Sequence, residues 1–325
     1  MEFGAMSSST INHDGLKTIR GKTAIVTGAA GGIGSHIVKL FAQNGANVVL
    51  SDLEYSRSAA EALITSLPDP TKAIFVPTNI IDWDDMKQLF KQTVAKFGGV
   101  EFVVANAGVM ESASCMNMDD VDENGELKEA TEVSRVIDIN LKGTLNTIRL
   151  AMFHMKENEP SFPGNSRGSI VLISSTSGYF GTTGVAGYIS SKHGITGLLR
   201  ASQIHASKLG IRVNGVAPFF TPTLMVKGFT EAWIKRGLPR NTPEGVAEVI
   251  VALSADSSQR GACYLACGSV LREVEHARVA VLPQWLGEDA TTLMRGGGQL
   301  FQDIGGYPYP KLTAMKEATS KSTTG

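Results

Sequence analysis

Short runs of β-branched and other apolar residues alternate along this chain with longer stretches whose apolar positions recur at the helical period. Residues 23–26, 47–51, 73–77, 102–105, 170–173 and 211–216 read as strands, and 33–44, 59–67, 84–97, 133–156 and 188–209 read as helices. Strand–helix alternation at this spacing calls for a parallel sheet covered on both faces. Right-handed crossovers make such a sheet doubly wound, with ligands at the carboxyl ends of its strands. The expected fold class is α/β, in three layers, αβα.

Two segments interrupt the alternation. Residues 111–132 are acidic, with Asp119, Asp120, Asp122, Glu123, Glu126 and Glu129, and residues 157–168 are rich in Pro, Gly and Asn. Both read as solvated surface loops. Beyond Pro218 the chain turns aromatic and irregular, through Phe219, Phe220, Phe229 and Trp233. A helix resumes near 243–253 and a last strand is expected near 263–267. The tail from Glu288 is rich in Gly, Thr and Lys and is expected to be partly disordered. The organisation predicted is an extension without order over 1–18, one domain over 19–287 with a substrate lid at about 219–242, and a C-terminal extension over 288–325. Met1-Glu-Phe-Gly-Ala, ahead of a second methionine at Met6, reads as a cloning scar.

With 42% hydrophobic and 19% charged residues the chain has enough apolar material for a sizeable core. Its formal net charge of −1 supplies no basic field to hold nucleic acid or an anionic membrane. The N-terminus lacks a continuous apolar stretch, and nothing later approaches ~18 unbroken apolar residues, so a soluble, cytoplasmic protein is expected. Cys115, Cys263 and Cys267 are too few and too scattered for a disulfide framework. The four-residue step from Cys263 to Cys267 suits a buried strand better than a zinc knuckle, and the histidines are dispersed. No metal is expected.

Candidate chemistry begins at Thr27-Gly-Ala-Ala-Gly-Gly-Ile-Gly34, where the first strand turns into the first helix. Glycines there let a pyrophosphate approach the helix N-terminus, whose free N–H groups and dipole favour anions. That turn marks the doubly wound sheet as a Rossmann fold. Asp52 follows the second strand, where a carboxylate can accept hydrogen bonds from both adenosine ribose hydroxyls and would repel a 2′-phosphate. No Lys or Arg occupies positions 51 to 54, so NAD is favoured over NADP. Asp52 could instead cap the helix from Tyr55 onward. Ser174-Ser175 ends another apolar run, and Tyr188 and Lys192 follow at a helical step that puts both on one face. An ammonium beside a phenol favours the phenolate, lowering a pKa that starts near ~10 and making Tyr188 a candidate general base.

Together these residues resemble the short-chain dehydrogenase/reductase family. Thr27-Gly-x-x-x-Gly-x-Gly34 is similar to its cofactor loop and Asn106-Ala107-Gly108 to its fourth-strand motif. Asn140 falls at its helix asparagine, Ser175 at its serine, Tyr188 and Lys192 at its catalytic pair, and Asn214 in Val-Asn-Gly-Val-Ala-Pro218 at its sixth-strand motif. The matches run in order over about residues 20 to 225. The Phe301-Gln-Asp303 tail and Asp52 also resemble the hydroxyprostaglandin dehydrogenase branch, and the general texture is similar to fungal secondary-metabolite dehydrogenases. Three departures stand out. Asn79 replaces an aspartate after the third strand, with backbone at Ile80 still able to contact adenine. Phe219 replaces a glycine after Pro218. The glycine-rich ending of the last strand is lost.

The resemblance implies NAD bound by Gly28, Gly32, Ile33, Gly34, Asp52, Asn79, Ile80, Asn106, Ala107, Gly108, Tyr188, Lys192, Pro218 and Thr223. It further implies that Tyr188 exchanges the hydroxyl proton of a secondary alcohol and that Lys192 holds the ribose and depresses the tyrosine pKa. Ser175 would steady the substrate oxygen, and Asn140 would anchor a water linking Lys192 to solvent. Ser175 could alternatively cap a turn and Asn140 bend its helix. Phe219, Phe220, Phe229 and Trp233, with Ser175, are the expected substrate contacts, favouring a bulky, weakly polar small molecule. A different class of function stays open: a scaffold reworked for a non-redox step such as cyclisation or isomerisation, or a cofactor-sensing binding protein. A homodimer or homotetramer built on helices 133–156 and 188–209 is expected, because Ile195, Leu198, Leu199 and Ile204 spread apolar surface around the second helix.

Overall fold

In the computed structural model, which describes residue 11 and residues 13–309, the chain divides into two compact units, Met1–His276 and Ala277–Gly325. The first is built on β1 (Thr23–Thr27), β2 (Asn47–Asp52), β3 (Ala73–Pro77), β4 (Phe102–Ala105), β5 (Gly168–Ile173), β6 (Ile211–Pro218), β7 (Cys263–Cys267) and β8 (Val270–Glu273). These strands form one sheet in the order β3-β2-β1-β4-β5-β6-β7-β8. All neighbouring pairs are parallel except β7 with β8. The order reverses between β1 and β4, which opens a crevice at the carboxyl ends of the strands. The α/β, doubly wound architecture expected from the alternation is the one observed.

Successive strand residues feed opposite faces. Ala24 and Val26 of β1 pack in one core with α1 (Gly32–Gln43), α2 (Arg57–Thr65) and α8 (Pro243–Ala255). Ile25 between them packs in the other, with α3 (Trp83–Phe97), α5 (Gly143–Met155) and α6 (Ala186–Lys208). Burial on both faces is why the strands read as nearly continuous apolar runs. Helix ends are written locally. Asp82 caps α3 by accepting from the Asp84 and Asp85 N–H groups, and left-handed Gly98 ends it. Thr242 caps α8 ahead of Pro243.

Several expectations need correction. Residues 133–156 are not one helix. They form α4 (Thr131–Ile137), a π turn over Asp138–Lys142, and α5. Part of the extension expected to lack order is a 3-10 helix, His13–Ile19, with Ile11 and Ile19 buried. A Cβ at Gly15 would lie 2.4 Å from the Ala255 carbonyl oxygen, so that turn packs against the end of α8. The rest of that extension and the scar lie outside the described residues. The segment after β6 contains α7 (Lys227–Lys235) and is not irregular throughout. β8 has no counterpart in the sequence reading, since four residues after a Gly268 turn are too short to show a period.

In the second unit, reached at α9 (Glu275–Ala280), the chain forms α10 (Leu282–Leu286) and α11 (Glu288–Asp303). The expected partial disorder from Glu288 is therefore overturned for α11, whose amphipathic pattern outweighs three consecutive glycines, Gly296 to Gly298. Residues 310–325 lie outside the described residues. Among the described residues, no helix is long and apolar enough to cross a membrane.

Candidate active site

The crevice at the strand ends is a cavity of about 1070 Å³. The Gly-rich turn borders it, and at two of its positions there is no room for a side chain. A Cβ at Gly28 would meet Ala107 Cα at 2.8 Å, and one at Gly34 would meet the Gly28 carbonyl oxygen at 2.1 Å. At Gly31 a side chain would stand in open space, and at Gly32 (φ +52) it would reach only Thr223, at 3.6 Å. Gly31 also offers no side-chain cap to α1, so the first N–H groups of that helix are left for a ligand. These features fit the diphosphate of a dinucleotide.

Asp52 lines the same cavity beside Asn79 and Ile80. Its Oδ2 accepts from the Ala30 N–H at 3.0 Å and its Oδ1 from the Leu53 N–H at 2.8 Å. The carboxylate thus braces the glycine turn and caps the chain after β2 while bordering the cavity. Asn79, where the family has aspartate, accepts from the Ile81 N–H, and its own N–H reaches Asp85. The first cation past Asp52 is Arg57, and its guanidinium is held by Glu54 at 2.6 Å and Glu61 at 3.4 Å.

Ser175, Tyr188 and Lys192 meet in the middle of the cavity, with Asn106, Ala107, Gly108 and Pro218 around them. Ser175 ends β5 in extended backbone and accepts from the Ser177 N–H at 3.1 Å, so it does cap a turn. Ser174 fixes its neighbour by bonding Thr196 of α6 at 3.0 Å. Lys192 is buried, and its Nζ donates to the Ile173 carbonyl at 2.8 Å, 5.5 Å from the Tyr188 ring centre. Burial lowers its pKa from 10.5 to about 8. Tyr188 moves opposite to expectation. Burial pushes its phenol up, hydrogen bonding with Ser175 pulls down, and the Glu111 charge adds to the rise. The Lys192 ammonium donates to the Ile173 backbone oxygen and not to the phenol.

Two expected site residues stand behind the wall of the cavity. Gly34 is a packing residue beneath the turn. Asn140, fully buried in the π turn, spends its amide on structure: it accepts from the Val109 N–H at 2.8 Å and donates to the Val109 carbonyl at 2.8 Å and to Ser191 at 2.9 Å. It does sit where its helix departs from α geometry, and it ties the exit of β4 to α6. Asn106 does a similar task, donating to the Thr27 and Gly28 carbonyls at 3.0 and 3.1 Å.

Another part of the cavity wall is an aromatic cluster. Phe220 stacks on Trp233 at 4.4 Å between ring centres, Phe219 meets Trp233 edge-on at 5.2 Å, and Phe229 tilts against Phe220 at 5.3 Å. All four line the cavity with Thr223, Leu224 and Met225. Phe220 is buried, Phe229 is 45% exposed, and α7 buries no residue. Trp233 is pinned by its indole N–H to the Pro239 carbonyl at 2.9 Å. Two functional positions escaped the sequence reading. Asn241 clamps the base of this segment, donating to the Ala266 carbonyl at 2.9 Å and accepting from the Gly268 N–H. Glu111, counted with a solvated acidic loop, is buried and bonds the start of α6. The first lies next to the Thr242 cap of α8, and no local signal marks the second.

A parallel, doubly wound sheet with a dinucleotide cradle and a Ser–Tyr–Lys group at its strand ends defines a nicotinamide-cofactor oxidoreductase scaffold. Residues 22–233 match the family model described as short chain dehydrogenase, and the chain belongs to that family. The chain is 32% identical over 247 residues to the 3-oxoacyl-[acyl-carrier-protein] reductase FabG of Thermotoga maritima, covering 74% of this chain and 93% of the relative. It is 30% identical over 247 residues to a cyclohexanol dehydrogenase from an Acinetobacter species, covering 73% and 89%. The solved 3-ketoacyl-(acyl-carrier-protein) reductase of Brucella melitensis complexed with NADH superposes with a TM-score of 0.67 at 25% identity, covering 77% of this chain and 98% of that one.

Proposed function

We propose that the protein is an NAD-dependent oxidoreductase interconverting a secondary alcohol and a ketone on a bulky, weakly polar small molecule. The observation that carries this reading is that Ser175, Tyr188 and Lys192 share one cavity with Asp52 and with an aromatic, uncharged stretch of wall, Phe219, Phe220, Phe229 and Trp233. Asp52 would accept from the ribose hydroxyls, the α1 N-terminus would hold the diphosphate, and Lys192 would bind the second ribose. Nicotinamide, when bound, would supply the hydride acceptor or donor. Ser175 would hydrogen-bond the substrate oxygen and Tyr188 would exchange its proton. A phenol held protonated suits donation to a ketone as the site stands. The oxidative direction needs the tyrosine ionised. Selection of NAD is supported by Asp52 and by an Arg57 neutralised by two glutamates.

Calorimetric titration tests the cofactor choice. NAD⁺ should bind much more tightly than NADP⁺, and Asp52→Ala should narrow the gap; equal affinities or an NADP⁺ preference would overturn it. A screen of secondary alcohols and ketones read at the NADH absorbance band tests the reaction. With any substrate found, Tyr188→Phe should lose ~10²–10⁴-fold in turnover while cofactor affinity stays nearly unchanged. No absorbance change with any alcohol or ketone would favour a non-redox or sensing scaffold.

A further inference from the structure

We infer that Glu111 is a positioning residue for the proposed general acid/base, reaching from the exit of β4 to hold the first turn of the helix that carries Tyr188. The inference rests on the role proposed for Tyr188. α6 begins at Ala186, and its N-cap residue, Val185, offers no side-chain acceptor. The N–H groups of the first turn would be orphaned in a buried place. Glu111 takes two of them: Oε1 accepts from the Gly187 N–H at 2.8 Å and Oε2 from the Tyr188 N–H at 2.9 Å. The side chain is only 6% exposed, unlike the acidic residues that follow it in the same segment. A carboxylate sequestered on the positive end of a helix is favourably placed, and its two bonds fix both translation and rotation of the first turn.

The connection has a direction. From Asn106 to Glu111 the chain is fastened at three successive points: to the glycine turn through Asn106, to the π turn through Val109, and to α6 through Glu111. The reacting tyrosine is thereby referenced to the cofactor cradle by a short stretch of chain. Glu111 also raises the proton affinity of the phenol through its charge. The other groups facing Tyr188 are Lys192 on its own helix and Ser175 after β5, with Arg135 and Glu132 on α4 farther out. Among these groups only Glu111 accepts from the Tyr188 N–H, while Ser191 on the same helix donates to the Tyr188 carbonyl.

Glu111→Gln keeps the size but removes the charge, and its single amide oxygen can accept from only one of the two N–H groups, the other then facing an NH2 donor. Glu111→Asp keeps the charge and shortens the reach. In the glutamine variant kcat should fall roughly tenfold or more, as small misplacements do, with NAD⁺ affinity within about twofold of wild type. Its Tyr188 phenol should also titrate at lower pH, because a nearby negative charge has gone. The ultraviolet difference titration of tyrosinate, with Tyr188→Phe as the blank, reads this without turnover. The acid limb of alcohol oxidation and the alkaline limb of ketone reduction should move the same way. The aspartate variant should lose rate and leave the titration in place. A glutamine variant with a folded circular dichroism spectrum, wild-type kcat and an unmoved phenol titration would overturn the inference. So would a lowered melting temperature as its only change, which is what a mere helix cap would give. If Tyr188→Phe keeps its turnover, the general acid/base assignment falls, and the tyrosinate titration still decides whether Glu111 controls that phenol.

Discussion

Lys192 is the residue where function and stability conflict most plainly. It is 4% exposed, its Nζ donates to the Ile173 carbonyl, and its pKa is brought down from 10.5 to about 8 by burial. A lysine that binds protons less readily folded than unfolded costs stability wherever it must be charged. That cost is full below about pH 8 and disappears as pH rises from there toward 10.5, since the unfolded chain then holds the extra proton. Lys192→Met should therefore abolish turnover yet stabilise the fold by on the order of 1–3 kcal/mol at neutral pH. The gain should shrink as pH is raised through that window. Chemical denaturation of both proteins at pH 7 and pH 10 measures it. Sequence spacing alone paired Lys192 with Tyr188 correctly. The direction of the tyrosine shift escaped it, because desolvation depends on what the rest of the fold removes from water.

Elements differ in how strongly their residues are held, and the segment after β6 shows the contrast within a few positions. Phe220 is buried and stacked, and Asn241 bonds its neighbours back to the sheet, whereas Phe229 on α7 leaves nearly half its surface in solvent. Phe220→Ala should cost ~3–5 kcal/mol of stability. Phe229→Ala should change the melting temperature little and instead raise KM or lower kcat for a bulky substrate. Thermal melts alongside steady-state kinetics separate the two. An aromatic cluster was legible from composition, but which ring is buried and which is exposed was not, since both depend on α7, whose Phe229 and Trp233 line the cavity. The break between α4 and α5 was hidden for a related reason. The hydrophobic period continues through it, and only the clasp between Asn140 and Val109 marks where one extra residue enters the turn.

At the scale of the whole molecule, the expected second apolar face of α6 is mostly spent inside the protomer. Ile195 and Leu199 are buried, Leu198 packs against the core, and only Ile204 is exposed, at 39%. Of these two helices, α5 carries the more exposed apolar residues, Leu145 at 47% and Phe153 at 58%. A homodimer or homotetramer is the expected assembly, with α5 at its contact. Light scattering should report it at micromolar concentration, and a Leu145→Glu, Phe153→Glu double variant should shift it toward the monomer. A monomeric wild-type protein would contradict the expectation.

The sequence by itself determined the alternation of strands and helices, the parallel doubly wound sheet and the order of the motifs along it. Each of these rests on local periodicity or on residues close together in the chain. The Gly-rich turn, Asp52, Ser175, Tyr188 and Lys192 were legible because each stands at a strand end or a fixed helical step. Tertiary structure alone decided that Gly34 and Asn140 build the wall and do not line the cavity. It also decided that Asn241 ties Phe219 to β7 and that Glu111, in an acidic run, is buried against the start of α6. These are contacts between residues far apart in the chain, 76 positions for Glu111 and Gly187, and no period within a single segment encodes the partner that a buried polar group will meet.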